Sequence, residues 1–186
     1  MELSVANIWI LLRLTVMNPG QAAQFLLRLP ILGRNRFAVL LVVSALSAAV
    51  LWATYAMFPM TMPDGTELEP VGPLSWAVMV GGGVLITTGL IFVGGRVAGG
   101  KAAFSDLILL VSWFQFLQLA LYIAQMVLIV LLPPLGALVA LASVGLTLWV
   151  LANFIKVANG FASVLGPILG IIGAMVLVFL LLLSGA

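Results

Sequence analysis

The chain has 186 residues, of which 65% are hydrophobic and only 6% charged. A soluble domain of this length could not remove so much apolar surface from water, so the composition predicts a single membrane domain. The net charge of +2 is too small and too scattered for a nucleic-acid footprint. The chain contains no His and no Cys, which excludes disulfides and thiolate metal sites. We therefore expect no metal, no cofactor and no nucleic-acid partner.

The first 36 residues predict an interfacial amphipathic region. The apolar run from Val5 to Met17 is too short to cross a bilayer core of about 30 Å. From Gln21 to Leu29, apolar residues recur at helical spacing opposite polar ones, and Pro30 ends the pattern. We expect both segments to bury their apolar faces at the acyl boundary, unless they are only a charged flank that orients the first span. The basic side chains expected among the lipid headgroups are Arg13, Arg28, Arg34 and Arg36.

Residues 37–186 predict a five-helix transmembrane domain, since each apolar stretch is close to the roughly 20 residues that cross a bilayer. Pro133 and Pro134 force a tight turn between two of these stretches, because proline cannot continue the preceding helix. The predicted fold is all-α, a polytopic membrane helical bundle of five transmembrane helices preceded by short interfacial amphipathic helices. The predicted spans are about 37–58, 74–94, 107–132, 135–155 and 164–184.

The loop after the first predicted span is acidic, with Asp64, Glu67 and Glu69 among several Pro and Gly residues. Three carboxylates could bind a hard cation through oxygen ligands, but their spacing matches no EF-hand. A solvated external loop is the simpler interpretation, and we predict no metal site there.

The basic residues predict the orientation of the chain. All seven lie in the N-terminal region, the connector after the second span or the end of the fourth, and the other loops carry none. Cytoplasmic segments are enriched in Lys and Arg, so we expect the N-terminus in the cytoplasm and the C-terminus outside.

The third predicted span carries a polar stripe. Gln115, Gln118, Tyr122 and Gln125 project within an arc of about 80° at 100° per residue. A carboxamide that faces lipid without a partner is costly, so the stripe should face protein or a water-filled cavity. It could form a hydrophilic path or ligand site, or simply hydrogen bonds between helices.

Two further patterns give weaker signals. Asn153 and Lys156 are three residues apart and could share a polar face, although Lys156 lies near a span end, where its amine can snorkel to the headgroups. Several glycines have spacings that allow close helix packing. These helix-packing candidates are Gly81, Gly82, Gly83, Gly89, Gly95, Gly99, Gly166 and Gly170.

Three stretches carry a family resemblance. The first, residues 18–23, reads Asn-Pro-Gly-Gln-Ala-Ala and precedes an Arg-bearing apolar helix. The second is Phe-Ser-Asp-Leu at 104–107, which leads into Val-Ser-Trp-Phe-Gln-Phe at 111–116. The third is Leu-Leu-Pro-Pro-Leu at 131–135, followed by Trp149 and Asn-Phe-Ile at 153–155. Together they resemble bacterial members of the Yip1 family over nearly the whole chain.

The resemblance implies five spans and a cytoplasmic N-terminus, as the charge pattern does, in a bacterial cytoplasmic membrane with the C-terminus in the periplasm. In eukaryotic members it also implies vesicle trafficking through Rab GTPases. This chain lacks their Asp-Leu-Tyr-Gly-Pro motif, so Rab binding is not carried over.

These features predict a non-enzymatic integral membrane protein that serves as an accessory, assembly or membrane-organising component of Yip1 type. No activated nucleophile can be named without His and without Lys beside a hydroxyl. The expected partners are membrane lipids and either other membrane proteins or further copies of the chain. The alternative is a channel or facilitator for a small polar solute or ion along the polar stripe.

Overall fold

The computed structural model describes residues 5–31, 33–58 and 71–184, with the side chains of Val5, Arg34 and Leu181 left undescribed. Within these ranges the chain is helical and has no strand, which confirms the all-α prediction. The helices are α1 (Val5–Met17), α2 (Pro19–Arg28), α3 (Gly33–Met57), α4 (Pro73–Val97), α5 (Phe104–Leu131), α6 (Pro133–Asn159) and α7 (Leu165–Leu183).

Four helices, α3 to α6, are long and apolar enough to cross a membrane. They correspond to the first four predicted spans and confirm a multi-pass membrane protein. The fifth predicted span, 164–184, corresponds to α7, which is a shorter apolar helix. The acidic residues Asp64, Glu67 and Glu69 lie outside the described residues.

Helix α5 lies at the centre of the bundle and contacts α2, α3, α4 and α6. Its residues from Leu107 to Ser112 are all buried, so this part of the helix is surrounded by protein. Helix α7 is peripheral and packs mainly on α6. Helices α3, α5 and α7 begin, and α4 and α6 terminate, on the same side of the bundle. Arg36, Arg96 and Lys156 lie on this side, which we call the basic end.

Helix α2 is part of the hydrophobic core. Asn18 caps it by accepting a hydrogen bond from the Gln21 backbone N–H at 3.2 Å, with Pro19 in the first turn. Its buried residues Ala22, Ala23 and Leu26 join a cluster formed with α5 and α6. The expected amphipathic pattern is present, but protein covers the apolar face. The expectation that this face lies in the acyl boundary is therefore wrong.

One predicted headgroup-facing residue makes an ion pair. The Arg36 guanidinium donates to the carboxylate of Asp106 and, through Nε, to the backbone carbonyl of Ile31. Its side chain is only 12% exposed, so it joins the first turns of α3 and α5 and does not extend toward headgroups. Arg13 and Arg28 are exposed, and their contact with headgroups stays a prediction, whereas the side chain of Arg34 is outside the described set.

Only some of the glycines mark close packing. A Cβ on Gly81 would lie 3.2 Å from Ser44 Oγ, and one on Gly95 would lie 2.5 Å from Asn159 Oδ1. Gly99 follows the end of α4 with a φ of 82°, a backbone conformation that favours glycine. The packing interpretation fails where no described atom lies within 4 Å of an ideal Cβ, namely at Gly82, Gly83, Gly89, Gly166 and Gly170.

Gly136, which the sequence did not single out, allows the closest helix approach at the other end of the bundle. A Cβ there would lie 2.9 Å from both the backbone nitrogen and the Cα of Ile129 in α5. Since the turn at Pro133 brings α6 directly back along α5, only a residue without a side chain fits at this position.

We predict that Gly136→Ala destabilises the protein by about 1–3 kcal/mol, because the added methyl forces the backbones of α5 and α6 apart. The matched control is Gly145→Ala in the same helix, where the Cβ would enter open space. The measurement is the free energy of unfolding in mixed micelles titrated with sodium dodecyl sulfate. Equal stabilities for the two variants would contradict the close approach.

Candidate functional site

The four residues of the predicted polar stripe line one cavity. Gln115, Gln118, Tyr122 and Gln125 of α5 face a space of about 370 Å³. Gln118 is near the middle of this 28-residue helix, so the cavity lies at mid-depth in the bundle. We call it the polar groove. The remaining walls come from Ser47 and Leu51 of α3, Leu119 and Leu121 of α5, and Ala140, Ser143, Val144 and Thr147 of α6.

The groove exists because α3 and α6 pack on two flanks of α5 and make few contacts with each other. Their separation leaves a strip of α5 uncovered by the described residues. The four stripe side chains are half-buried, and Val144 on the α6 wall is 54% exposed. The groove is therefore a lateral opening in the side of the bundle.

One hydrogen bond between helices closes one side of the groove, and two hydrogen bonds within α6 support it. Gln125 Nε2 donates to Ser143 Oγ at 2.7 Å, and that hydroxyl donates to the Val139 carbonyl at 2.7 Å. Thr147 Oγ1 donates to the Ser143 carbonyl at 2.8 Å. Gln125 therefore forms a hydrogen bond between helices, which was one of the two interpretations of the stripe.

The other polar groups of the groove lack partners. The side chains of Gln115, Gln118 and Tyr122 make no hydrogen bond within the described residues. Ser47 is only 1% exposed, yet its Oγ has no partner there. An unpaired buried hydroxyl or amide costs about 1–3 kcal/mol in proteins, so these groups favour a hydrogen-bonding occupant.

The chemistry of the groove is neutral. Its lining contains carboxamides, hydroxyls and one phenol, and no Asp, Glu, Lys or Arg. Carboxamides both donate and accept hydrogen bonds, so the groove suits an uncharged polar group of either kind. An unaccompanied ion would find no opposite charge along this lining.

The second predicted site, Asn153 with Lys156, is not assembled as a polar pair. Asn153 Nδ2 donates to the Trp149 carbonyl within α6 at 2.9 Å, and no hydrogen bond joins it to Lys156. Its Oδ1 would lie 3.9 Å from a Cβ on Gly20, at the start of α2. Asn153 therefore contributes to the packing of α2.

Asn159 has a structural role that the sequence analysis missed. Its side chain is 3% exposed and fills the space left by Gly95 and Gly100, while Nδ2 donates to the Ile155 carbonyl at 3.0 Å. The backbone carbonyl of Asn159 accepts a hydrogen bond from the Lys101 backbone N–H at 3.2 Å. The connector between α4 and α5 is thus fixed to the end of α6. The Asn-Gly pair at 159–160 was the available sequence signal.

Within the described ranges, no group of three or more His, Cys, Asp or Glu residues could hold a metal ion. The absence of cofactors and of catalysis stays a prediction from the sequence. Comparison with protein-family models, curated protein sequences and solved structures found no match. Function therefore has to be argued from the groove and from the bundle that forms it.

We predict that water-soluble thiol reagents reach the groove. The native chain has no Cys, so Gln118→Cys introduces a unique thiol, and Ile123→Cys places the control on an exposed face of α5 outside the groove. Gln118→Cys should react about tenfold faster with a methanethiosulfonate in nanodiscs, because the reactive thiolate forms more readily in a polar, water-accessible groove than against lipid. Equal rates at the two positions would contradict a polar, accessible groove.

Proposed function

We propose that this chain is a non-enzymatic integral membrane protein that assembles with another membrane protein by binding one of its transmembrane helices in the polar groove. The observation that carries the proposal is the set of unpartnered neutral polar groups on the lateral surface at mid-depth. Gln115, Gln118 and Tyr122 can each hydrogen-bond to a neighbouring helix. Lipid tails offer no such bonds.

The shape of the groove favours a helix as the occupant. The stripe from Gln115 to Gln125 covers ten residue steps, or about 15 Å at 1.5 Å per residue. This length is nearly three helical turns and suits a segment that presents Ser, Thr, Asn or Gln at helical spacing. Each hydrogen bond of this kind between membrane helices contributes about 0.6 kcal/mol on average.

A second candidate function is facilitated passage of a small neutral polar solute. The unpartnered Gln115 and Gln118 side chains support it, because they could hydrogen-bond to a solute as readily as to a helix. The stripe covers only about half of the roughly 30 Å hydrocarbon core, so a path would require the bundle to open further. Assembly needs no such rearrangement and is the function we favour.

The family resemblance and the charge pattern complete the proposal. We place the protein in the Yip1 family and in a bacterial cytoplasmic membrane, with the basic end facing the cytoplasm. Helix α7 serves as the fifth span, since its 19 residues give a length of about 28 Å, close to the hydrocarbon thickness. The chain then ends in the periplasm.

This topology predicts the side from which single cysteines are labelled by a membrane-impermeant maleimide. Arg28→Cys and Lys101→Cys should react only from the cytoplasmic side, because both positions are exposed at the basic end. Val71→Cys and Ser184→Cys should react only from the periplasmic side. If Ser184→Cys is labelled together with Arg28→Cys, α7 does not cross the membrane and the fifth span is wrong.

The assembly function predicts that a tagged copy, purified gently from its native membrane, carries a stoichiometric companion that depends on the groove. Gln115→Leu combined with Gln118→Leu should weaken that association about tenfold, since it removes about two interhelical hydrogen bonds. These two side chains make no hydrogen bond in the described structure, so their loss should leave the fold intact. Quantitative mass spectrometry of the purified complex measures the effect.

The matched control replaces Gln21 and Gln24 by Leu. These two residues are also glutamines, but they lie on the exposed face of α2. The control should retain the companion. A companion held equally by both variants would contradict binding in the groove. The second function would instead be established if the purified protein carries no companion and admits glycerol into liposomes. This glycerol entry should then be lost when Gln115 and Gln118 are replaced by Leu.

A further inference from the structure

The polar groove lies along a seam of side chains on α5. Residues at alternating spacings of three and four occupy the a and d positions of a heptad, which face a neighbouring helix. This heptad seam of α5 runs through Ile108, Val111, Gln115, Gln118 and Tyr122. Ile108 and Val111 are buried in one hydrophobic cluster, which Leu40 of α3 and Val84 of α4 complete. From Gln115 onward, the same seam faces the groove.

The part of the seam without a neighbour is one heptad long. Gln125, the next position of the seam, already donates to Ser143 Oγ of α6. Gln115, Gln118 and Tyr122 make no hydrogen bond within the described residues. The seven residue steps between the first and the last of them cover about 10 Å at 1.5 Å per residue. Three side chains of another helix, at positions i, i+3 and i+7, match this length.

The spacing of the seam sets the angle at which a second helix crosses α5. Residues seven apart on a straight α-helix are about 20° out of register, so a seam of threes and fours winds slowly around the helix. A helix that follows it crosses in the left-handed sense, at about +20°. Four-residue spacing winds in the opposite direction and favours the right-handed crossing of about −40° that small-residue pairs use.

The width of the groove limits which part of a helix can enter. The cavity has a volume of about 370 Å³. Along a stripe of about 15 Å this volume gives a mean cross-section of about 25 Å², or about 5 Å across. An α-helix with its side chains is about 10–12 Å in diameter. The backbone of the partner therefore lies at the mouth of the groove, and one row of its side chains enters.

We infer that the helix bound in the groove crosses α5 in the left-handed sense and inserts Ser, Thr, Asn or Gln side chains at positions i, i+3 and i+7. The inference rests on the proposed function, because it specifies the partner helix. Carboxamides and the phenol both donate and accept hydrogen bonds, so a row of neutral polar side chains satisfies them. A row of charged side chains would find no opposite charge in the lining.

Two synthetic transmembrane peptides of identical composition test this geometry. Both are leucine-rich helices with three Asn residues at mid-depth, placed at i, i+3 and i+7 in the first peptide and at i, i+4 and i+8 in the second. Binding to the purified protein in liposomes is measured by fluorescence energy transfer in a large excess of lipid. The first peptide should bind about tenfold more tightly, since it follows the seam and gains about two more interhelical hydrogen bonds.

The groove variant, Gln115→Leu combined with Gln118→Leu, should lose this preference. The exposed-face control, Gln21→Leu combined with Gln24→Leu, should keep it. Comparing each peptide on the two variants cancels the association of the peptides with themselves. Equal binding of the two peptides, tighter binding of the second, or a preference that persists in the groove variant would each overturn the inference.

The proposed function fails by a different result. It is contradicted if the native companion is held equally by the groove variant and the exposed-face control, whatever the peptides do. If the native companion depends on the groove but the two peptides bind equally, the left-handed crossing is wrong and the assembly function stands.

Discussion

The uneven covering of α5 is the constraint on which the rest of the structure depends. Near the basic end this helix is enclosed by α2, α3, α4 and α6, and its residues from Leu107 to Ser112 are buried. At mid-depth one strip of the helix, which carries Gln115 and Gln118, faces the groove between α3 and α6. Polar side chains thus appear where protein contact ends. Since hydrocarbon cannot satisfy them, this surface needs a polar occupant.

The four long apolar helices were predictable from composition, because crossing a bilayer requires a length and apolarity that few other segments share. What covers a surface was not predictable in the same way. The spacing in α2 identified an apolar face, but not that Ala22 and Ala23 would pack against α5 and α6. Arg36 also looked like a headgroup contact, because its partner Asp106 is 70 residues away in the chain. Such errors arise where long-range packing competes with lipid for the same surface.

The stripe itself followed from helical periodicity, since residues at three- and four-residue spacing share a face whatever their neighbours are. Its partners did not, because the pairing of Gln125 with Ser143 depends on how closely α6 returns along α5. That approach is set by Gly136, one glycine among the 19 in the chain. Glycine spacing alone could not separate this contact from open positions such as Gly83 and Gly89.

Helix α6 contributes to two cavities of the bundle. Residues of α6 between Ala140 and Thr147 line the polar groove. One to two turns farther along, Leu151 and Ile155 line an apolar cleft between α6, α4 and α7. Binding in the polar groove should depend little on salt, because hydrogen bonds between uncharged groups at mid-depth leave no net charge for ions to screen.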